Sequence, residues 1–594
     1  MAMSSGHLPG STCKRCPTMP DLHPRHSELS DFLKGYRQAI IGLGIMSATI
    51  SLLGLASTIY MLEIYDRVLP SKSLPTLIGL TTILVGFLVM QGTLEWIRGR
   101  ILLLVSHRLD DQFGSRIYRS LLALPLLHDS HDDSLRPLRD LDQLRHFIAS
   151  PAPVALFDLP WVPIYVFVAF GFHVWIGSMI GLSALLLVGL TVVSEMLTKH
   201  PSYKANRALA QRNQFSEATR RNAEVIRAMG MTGSMLHHWQ TCSTRHNQAQ
   251  LEAATISSNL ATASRTLRVM LQSLVLGLGA YLAIQQEVSA GAIIACSVLL
   301  ARSLQPIELL IGHWKPFLQA RQSWLSLSYL LALCPLERPQ MALPSPCSSL
   351  EVDRISMTAP GHKQLVVHDV SFSLRHGQAL GIVGPSGSGK SCLVRALAGV
   401  WPIVRGTIRL DGASLRQWSP DSLGLHIGYL PQDIELFEGT IAENIARFQT
   451  GIRPEQILEA ANLADVHTMI VHMPDGYSTR IGANGHALSA GQRQRIGLAR
   501  ALFGQPFMVI LDEPNSNLDS AGEQALQISL MKLRKRGAIT IIVAHRPAVL
   551  GYVDHILMMA DGHMQAYGPK EAMLKQLASK PLATIQNPEK ERRA

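Results

Sequence analysis

Gly384-Pro-Ser-Gly-Ser-Gly-Lys390-Ser391 follows the apolar run Ala379-Leu-Gly-Ile-Val383 and precedes Cys392-Leu-Val-Arg-Ala-Leu-Ala398. The pattern reads as buried strand, glycine-rich turn and helix, the context that G-x-x-x-x-G-K-[ST] requires. Gly384, Gly387 and Gly389, with Pro385, Ser386 and Ser388 between them, let backbone N–H groups curl around phosphate oxygens without a Cβ in the way. The helix that follows adds a partial positive charge at its N-terminus. Lys390 is placed to reach the β- and γ-phosphates of a nucleotide such as ATP, and the Ser391 hydroxyl to ligate Mg²⁺.

Downstream, Phe507-Met-Val-Ile-Leu-Asp512-Glu513 is a buried-strand run that ends in two carboxylates. A strand end beside the phosphate turn suits Asp512 for Mg²⁺, mostly through water. Glu513 is then placed as general base or water-orienting group for attack on the γ-phosphate. Thr540-Ile-Ile-Val-Ala-His545 is another strand with a polar residue at its end, and Gln432 follows Ile427-Gly-Tyr-Leu-Pro431. By themselves these two are as readily structural residues as functional ones.

The rest of the chain differs in texture. It has 594 residues, 16% charged and 47% hydrophobic, too apolar for disorder and more than one domain. A net charge of +11 would suit a nucleic-acid partner, but it equally suits arginine-rich cytoplasmic loops, and the apolar segments favour the latter, with a lipid bilayer as partner and no nucleic acid. Six segments stand out: Ala39–Tyr60, Leu77–Trp96, Leu156–Phe172, Trp175–Met196, Leu267–Ile284 and Ala290–Gly312. Most approach the roughly 20 residues that cross a hydrocarbon core. The third is short, with Pro160 and Pro163 near its start. Arg98, Arg100, Arg108, Arg116, Arg119, Arg136, Arg139 and Arg145 fall between segments two and three. Lys199, Lys204, Arg207, Arg212, Arg220, Arg221 and Arg227 fall between four and five, whereas Gln285–Ser289 carries no Lys or Arg. The excess of positive charge puts both long loops and both termini in the cytoplasm. Helical periodicity in Leu109–Leu124 and Asn206–Met229 predicts helices that run on well past the membrane.

The expected divisions are a polar cytosolic tail over 1–36, a membrane domain over 37–335, a Pro-rich linker over 336–349, an α/β domain over 350–578 and a tail over 579–594. The first tail lacks the apolar core of a signal peptide. The seven cysteines are scattered, and Cys13-Lys-Arg-Cys16 has no second pair, so free thiols are expected.

Leu488-Ser-Ala-Gly-Gln492, followed by Arg493-Gln-Arg-Ile-Gly-Leu-Ala-Arg-Ala501, resembles the signature motif of ABC transporter ATPase domains. The resemblance makes Gln432 the Q-loop glutamine, counted with Ser391 and Asp512 on the metal side, Ser516–Asp519 the D-loop, and His545 the switch histidine that contacts the γ-phosphate. It implies that Ser489, Gly491 and Gln492 bind a nucleotide held by the phosphate turn of a second subunit. Tyr60-Met-Leu-Glu-Ile-Tyr-Asp-Arg-Val-Leu-Pro-Ser71, Pro137–Arg145, Phe157-Asp-Leu-Pro-Trp-Val-Pro163, Asn222–Met231 and Asp512-Glu-Pro-Asn-Ser-Asn-Leu-Asp519 resemble the protease/lipase-exporter (PrtD-like) branch of type I secretion permease/ATPases. The fold this implies is an α-helical six-span transmembrane domain of ABC exporter type plus an α/β P-loop NTPase domain. The function it implies is ATP-driven export of proteins with a C-terminal signal by a homodimer in the bacterial inner membrane. Its implied partners are a periplasmic membrane-fusion adaptor, an outer-membrane channel protein and the exported protein. A lipid or drug half-transporter of the same architecture is the alternative.

Three departures from the pattern stand out. Ala359 replaces the aromatic residue on which adenine usually stacks, Ala490 replaces the second signature glycine, and Ala483 replaces a glutamate that usually contacts the membrane domain. The methyl of Ala490 is tolerable only where φ stays negative.

Overall fold

A computed structural model of the chain describes residues 28–127, 136–335, 341, 343–362, 364–482, 488–544 and 547–579. Cys13, Cys16, Ala483 and His545 lie outside the described residues. The chain folds as two compact units, the first running to Pro335.

The first unit is helical throughout its described residues. Helices long and apolar enough to cross a membrane lie in Arg37–Ser71, Leu74–Pro125, Ala152–Phe172, Val174–Arg221, Thr232–Ile284 and Ala290–Gly312, matching the six apolar segments. A bilayer offers no partner to backbone N–H and C=O groups, so segments of this composition satisfy them internally as helices. None of the apolar window of the second span is buried within the unit, as befits a surface solvated by lipid. The expected extension past the membrane is present. The second helix, Leu74–Leu127, has 54 residues and is about 80 Å long. Val174–Arg221 and Thr232–Ile284 are nearly as long, and the short helix Ala223–Ala228 joins them. Ile176, Ile180, Leu187, Val275, Leu299, Leu300 and Leu304 form the apolar centre of the unit.

Polar residues fasten the spans to one another. The third span is broken into Ala152–Asp158, a 3₁₀ turn at Leu159–Trp161 and Val162–Phe172, around the two prolines. At that break Asp158 pairs with Arg98 at 2.7 Å, and Arg98 also donates to Ser47 Oγ at 3.0 Å. Three spans thus meet at one guanidinium, and Arg98, expected in a solvated loop, is 6% exposed. The first span ends in a π-helical turn, Ile64–Val68, whose Asp66 accepts from Ser289 Oγ at 2.5 Å and from Gly291 N at 2.9 Å. It thereby caps the start of the sixth span, where a Cβ on Gly291 would fall 2.7 Å from that carboxylate. Arg268 and Glu308 pair at 2.6 Å between the fifth and sixth. Residues 28–35, expected to belong to a tail, form the helix Glu28–Gly35. Leu29 and Phe32 share one face of it and are buried, with Phe32 edge-on to Phe113.

The second unit is built on a ten-stranded sheet. One side is antiparallel, in the order Ala413–Ser414, Ile403–Leu410, Ser349–Thr358, Leu365–Arg375. The strand His563–Pro569 joins it to the other side, whose order is His555–Ala560, Ala379–Val383, Ile539–Val543, Met508–Asp512, Ile427–Leu430. Those five strands run parallel. Met508–Asp512 and Ile539–Val543 are buried at every position, which is why they read as unbroken apolar runs. The carboxyl ends of parallel strands are where α/β sheets bind ligands.

Removing Arg98 alone strands Asp158 among apolar helices. Arg98→Met is expected to destabilise the membrane unit by on the order of 3–5 kcal/mol, and Arg98→Met/Asp158→Met by less. Thermal unfolding of the full chain in lipid nanodiscs measures both. A double variant at least as unstable as Arg98→Met would deny that the two charges are paired.

Candidate active site

The phosphate turn joins Ala379–Val383 to the helix Lys390–Leu397. Gly384 packs so closely under the sheet that a Cβ there would lie 2.2 Å from Met559 O. Gly387 and Gly389 take φ of +78° and +91°, a region that disfavours side chains. Lys390 is 5% exposed and donates to the carbonyls of Gly384 at 2.9 Å and Pro385 at 2.8 Å. The lysine therefore lies across its own loop. Burial lowers its pKa from the usual range, while the carboxylates of Glu513 and Asp512 pull it back up.

One strand away, Met508–Asp512 ends beside this turn, in parallel register with Ile539–Val543. Asp512 is 2% exposed and accepts from Ser391 Oγ at 3.4 Å. Burial raises its pKa above the usual carboxylate range, against the hydrogen bond from Ser391. Among the described residues no group of three or more His, Cys, Asp or Glu side chains could hold a metal. The Ser391 hydroxyl and Asp512 carboxylate supply two oxygens, which fits an ion such as Mg²⁺ that keeps water and takes its other ligands from phosphate.

Glu513 follows with φ of +50°, the left-handed region. Gln432, just past the strand Ile427–Leu430, donates from Nε2 to Glu513 Oε2 at 3.2 Å. Thus Lys390, Ser391, Asp512, Glu513 and Gln432 gather at the carboxyl ends of neighbouring strands. His545 is outside the described residues, though Ala544, next to it, continues Ile539–Val543.

Ser489, Gly491 and Gln492 lie at the start of another helix, Ala490–Leu502. Ser489 and Gln492 form a capping box: Ser489 Oγ accepts from Gln492 N at 3.2 Å, and Gln492 Oε1 from Ser489 N at 2.9 Å. Ala490 is the first helical residue and is absent from the positive-φ positions, so its methyl is accommodated. A Cβ on Gly491 would lie 3.1 Å from Asn517 O, so the helix start rests on the Ser516–Asp519 turn. Asp519 in turn caps the helix Ser520–Arg536, accepting from Gly522 N at 2.8 Å.

Gln494 went unnoticed in the sequence. It is 2% exposed and donates to the carbonyls of Glu513, at 3.4 Å, and Pro514, while accepting from Asn517 N at 3.1 Å. Its sequence signal is an amide on a helix face that also carries buried Gly497, Leu498 and Ala501.

Fold and site together define a phosphate-loop ATPase carried on the same chain as a six-span membrane unit. Residues 367–516 match the ABC transporter family and residues 40–307 the ABC transporter transmembrane region. The chain belongs to the ABC transporter family, whose ATPase domain binds and hydrolyses ATP. It is 47% identical to the type I secretion system ATP-binding protein PrsD of Rhizobium meliloti, over 93% of this chain and 95% of that one. It is 30% identical to the cyclolysin secretion/processing ATP-binding protein CyaB of Bordetella pertussis, over 96% of this chain and 81% of that one. A bacterial Atm1-family ABC exporter solved with ATP bound shares the fold, with a TM-score of 0.78 at 20% identity, covering 94% of this chain and 99% of the other.

Lys390→Ala is expected to lower steady-state ATP turnover on the order of 10²–10³-fold, because the γ-phosphate loses its charge partner. Glu513→Gln is expected to bind ATP normally and hold it with only trace turnover. Near-normal hydrolysis by either, measured by phosphate release from purified chain, would count against its assignment.

Proposed function

We propose that the chain is the inner-membrane ATPase and permease of a type I protein secretion system, exporting proteins that carry a C-terminal signal. The observation that carries this reading is the end-to-end similarity to PrsD, which spans the membrane and ATPase units alike. Both termini and the long helical extensions lie on the cytoplasmic side, where the arginines concentrate. The working form is a homodimer, which engages a periplasmic adaptor and an outer-membrane channel.

In this reading backbone N–H groups of Gly384–Ser391 cradle the β- and γ-phosphates, and Lys390 leaves its loop carbonyls for the γ-phosphate. Mg²⁺, when bound by Ser391 and Asp512 with Gln432 nearby, neutralises phosphate charge. Glu513 accepts the proton of the attacking water, with Gln432 and His545 helping to orient water and γ-phosphate. Ser489 and Gly491, at a helix start with Gln492 locked in its cap, meet the γ-phosphate on the partner subunit. Binding of two nucleotides between two ATPase units draws them together. That closure shifts the long helices between access states, and hydrolysis resets them.

Co-expression with the adaptor and channel of a type I system should release a C-terminally signalled reporter protein into the medium. Glu513→Gln in the same cells should abolish release, and so should deletion of the reporter's last segment. Equal release without that segment, or with Glu513→Gln, contradicts the reading.

A further inference from the structure

Glu513 sits in a conformation that non-glycine residues rarely adopt, and such positions persist only where the surroundings over-determine them. Its N–H donates to Val543 O at 3.2 Å, which fastens it to the sheet. Its C=O accepts from Ser516 N at 3.2 Å within its own turn. A third hold comes from outside that turn, through the Gln494 amide on the helix that begins at Ser489.

We infer that Gln494 is a positioning residue that holds Glu513 and the Pro514–Asn517 turn to the signature helix, so that the two move as one piece. This rests on the reading of Glu513 as the base. The geometry fits a strut. An amide has donors on nitrogen and an acceptor oxygen. Nε2 serves the carbonyls of Glu513 and Pro514, and Oε1 serves Asn517 N, so both ends of the amide are engaged on one turn. The side chain is excluded from water, so solvent does not compensate a lost bond. The start of the same helix also packs close to this turn: a Cβ on Gly491 would lie 3.1 Å from Asn517 O. A shift of the signature helix that carries Gln494 therefore pulls on Asn517 N and on the backbone of Glu513. Gln494 touches no reacting atom; it governs where the Glu513 carboxylate points.

The test uses full-length chain in nanodiscs. Gln494→Met keeps the volume and removes the bonds. It is expected to lower kcat by about 10–100-fold, the scale of a small misplacement of a reacting group, with KM and the affinity for a fluorescent ATP analogue within about twofold. In a Glu513→Gln background the same change should cost less than about twofold, because its target is already lost. Gln494→Glu turns a carboxylate toward two carbonyls near pH 8 and should be equally impaired. As pH falls toward about 6, a buried carboxyl takes up a proton and regains a donor beside the acceptor it kept, so its kcat should recover relative to wild type. Losses that multiply in the double variant, a rise in KM at unchanged kcat, or an absence of pH recovery would overturn the positioning role. Loss of ATP binding by both variants would overturn it in favour of a purely architectural one. Full turnover by Glu513→Gln alone would overturn the base assignment and the positioning role with it. A Glu513→Gln chain cut to trace turnover, which Gln494→Met then lowers by about another 10–100-fold, overturns the positioning role only.

Discussion

The ATPase unit is arranged around the left-handed backbone at Glu513, directly past the buried strand Met508–Asp512. A conformation of that kind costs on the order of 1–3 kcal/mol and has to be held from several sides. The sheet holds it through Val543, the turn through Ser516 and the signature helix through Gln494. Gln432 meets the carboxylate itself. The strand Ile539–Val543 spaces Glu513 from the phosphate turn, whose own tightness follows from Gly384 lying against Met559 O. The geometry around Glu513 is a property of the parallel sheet, and the helices and loops that touch it tune it.

The membrane unit obeys a related constraint. Its helices are apolar enough that a buried charge is costly without a partner. Arg98 joins three spans through Ser47 and Asp158, and Asp66 fastens the end of the first span to the start of the sixth. These contacts specify which helices are neighbours, a choice that apolar packing among similar surfaces leaves poorly determined. The helices then continue far past the apolar windows, which is the length needed to carry a change at one end to the other.

Much of this was legible beforehand because the signals are local. The phosphate turn, its strand and its helix are contiguous, and Asp512-Glu513 ends a run whose burial is visible as unbroken hydrophobicity. The six spans were legible because a bilayer demands long apolar helices. What stayed hidden depended on distant partners. Arg98 resembled a loop arginine because Asp158 lies 60 positions away. Gln494 resembled any helix glutamine until Pro514 and Asn517 were placed beside it. The helix Glu28–Gly35 is too short to be stable by propensity and exists through its packing on Phe113. Ala490 posed a question of backbone angle, and the answer came from where its helix begins.

In the proposed homodimer each nucleotide is held between the phosphate turn of one chain and the signature helix of another. Co-expression of two differently tagged chains, one Lys390→Ala and one Ser489→Arg, followed by double-tag purification and an ATPase assay, tests it most directly. Each homodimer carries a defect in both sites. A mixed dimer concentrates both defects in one site and leaves the other intact. Double-tag purification keeps only the mixed dimers, so about half of their sites are intact. ATP hydrolysis in the mixed dimers is expected well above that of either parent. Mixed dimers that bind and hydrolyse ATP no better than the parents would contradict it.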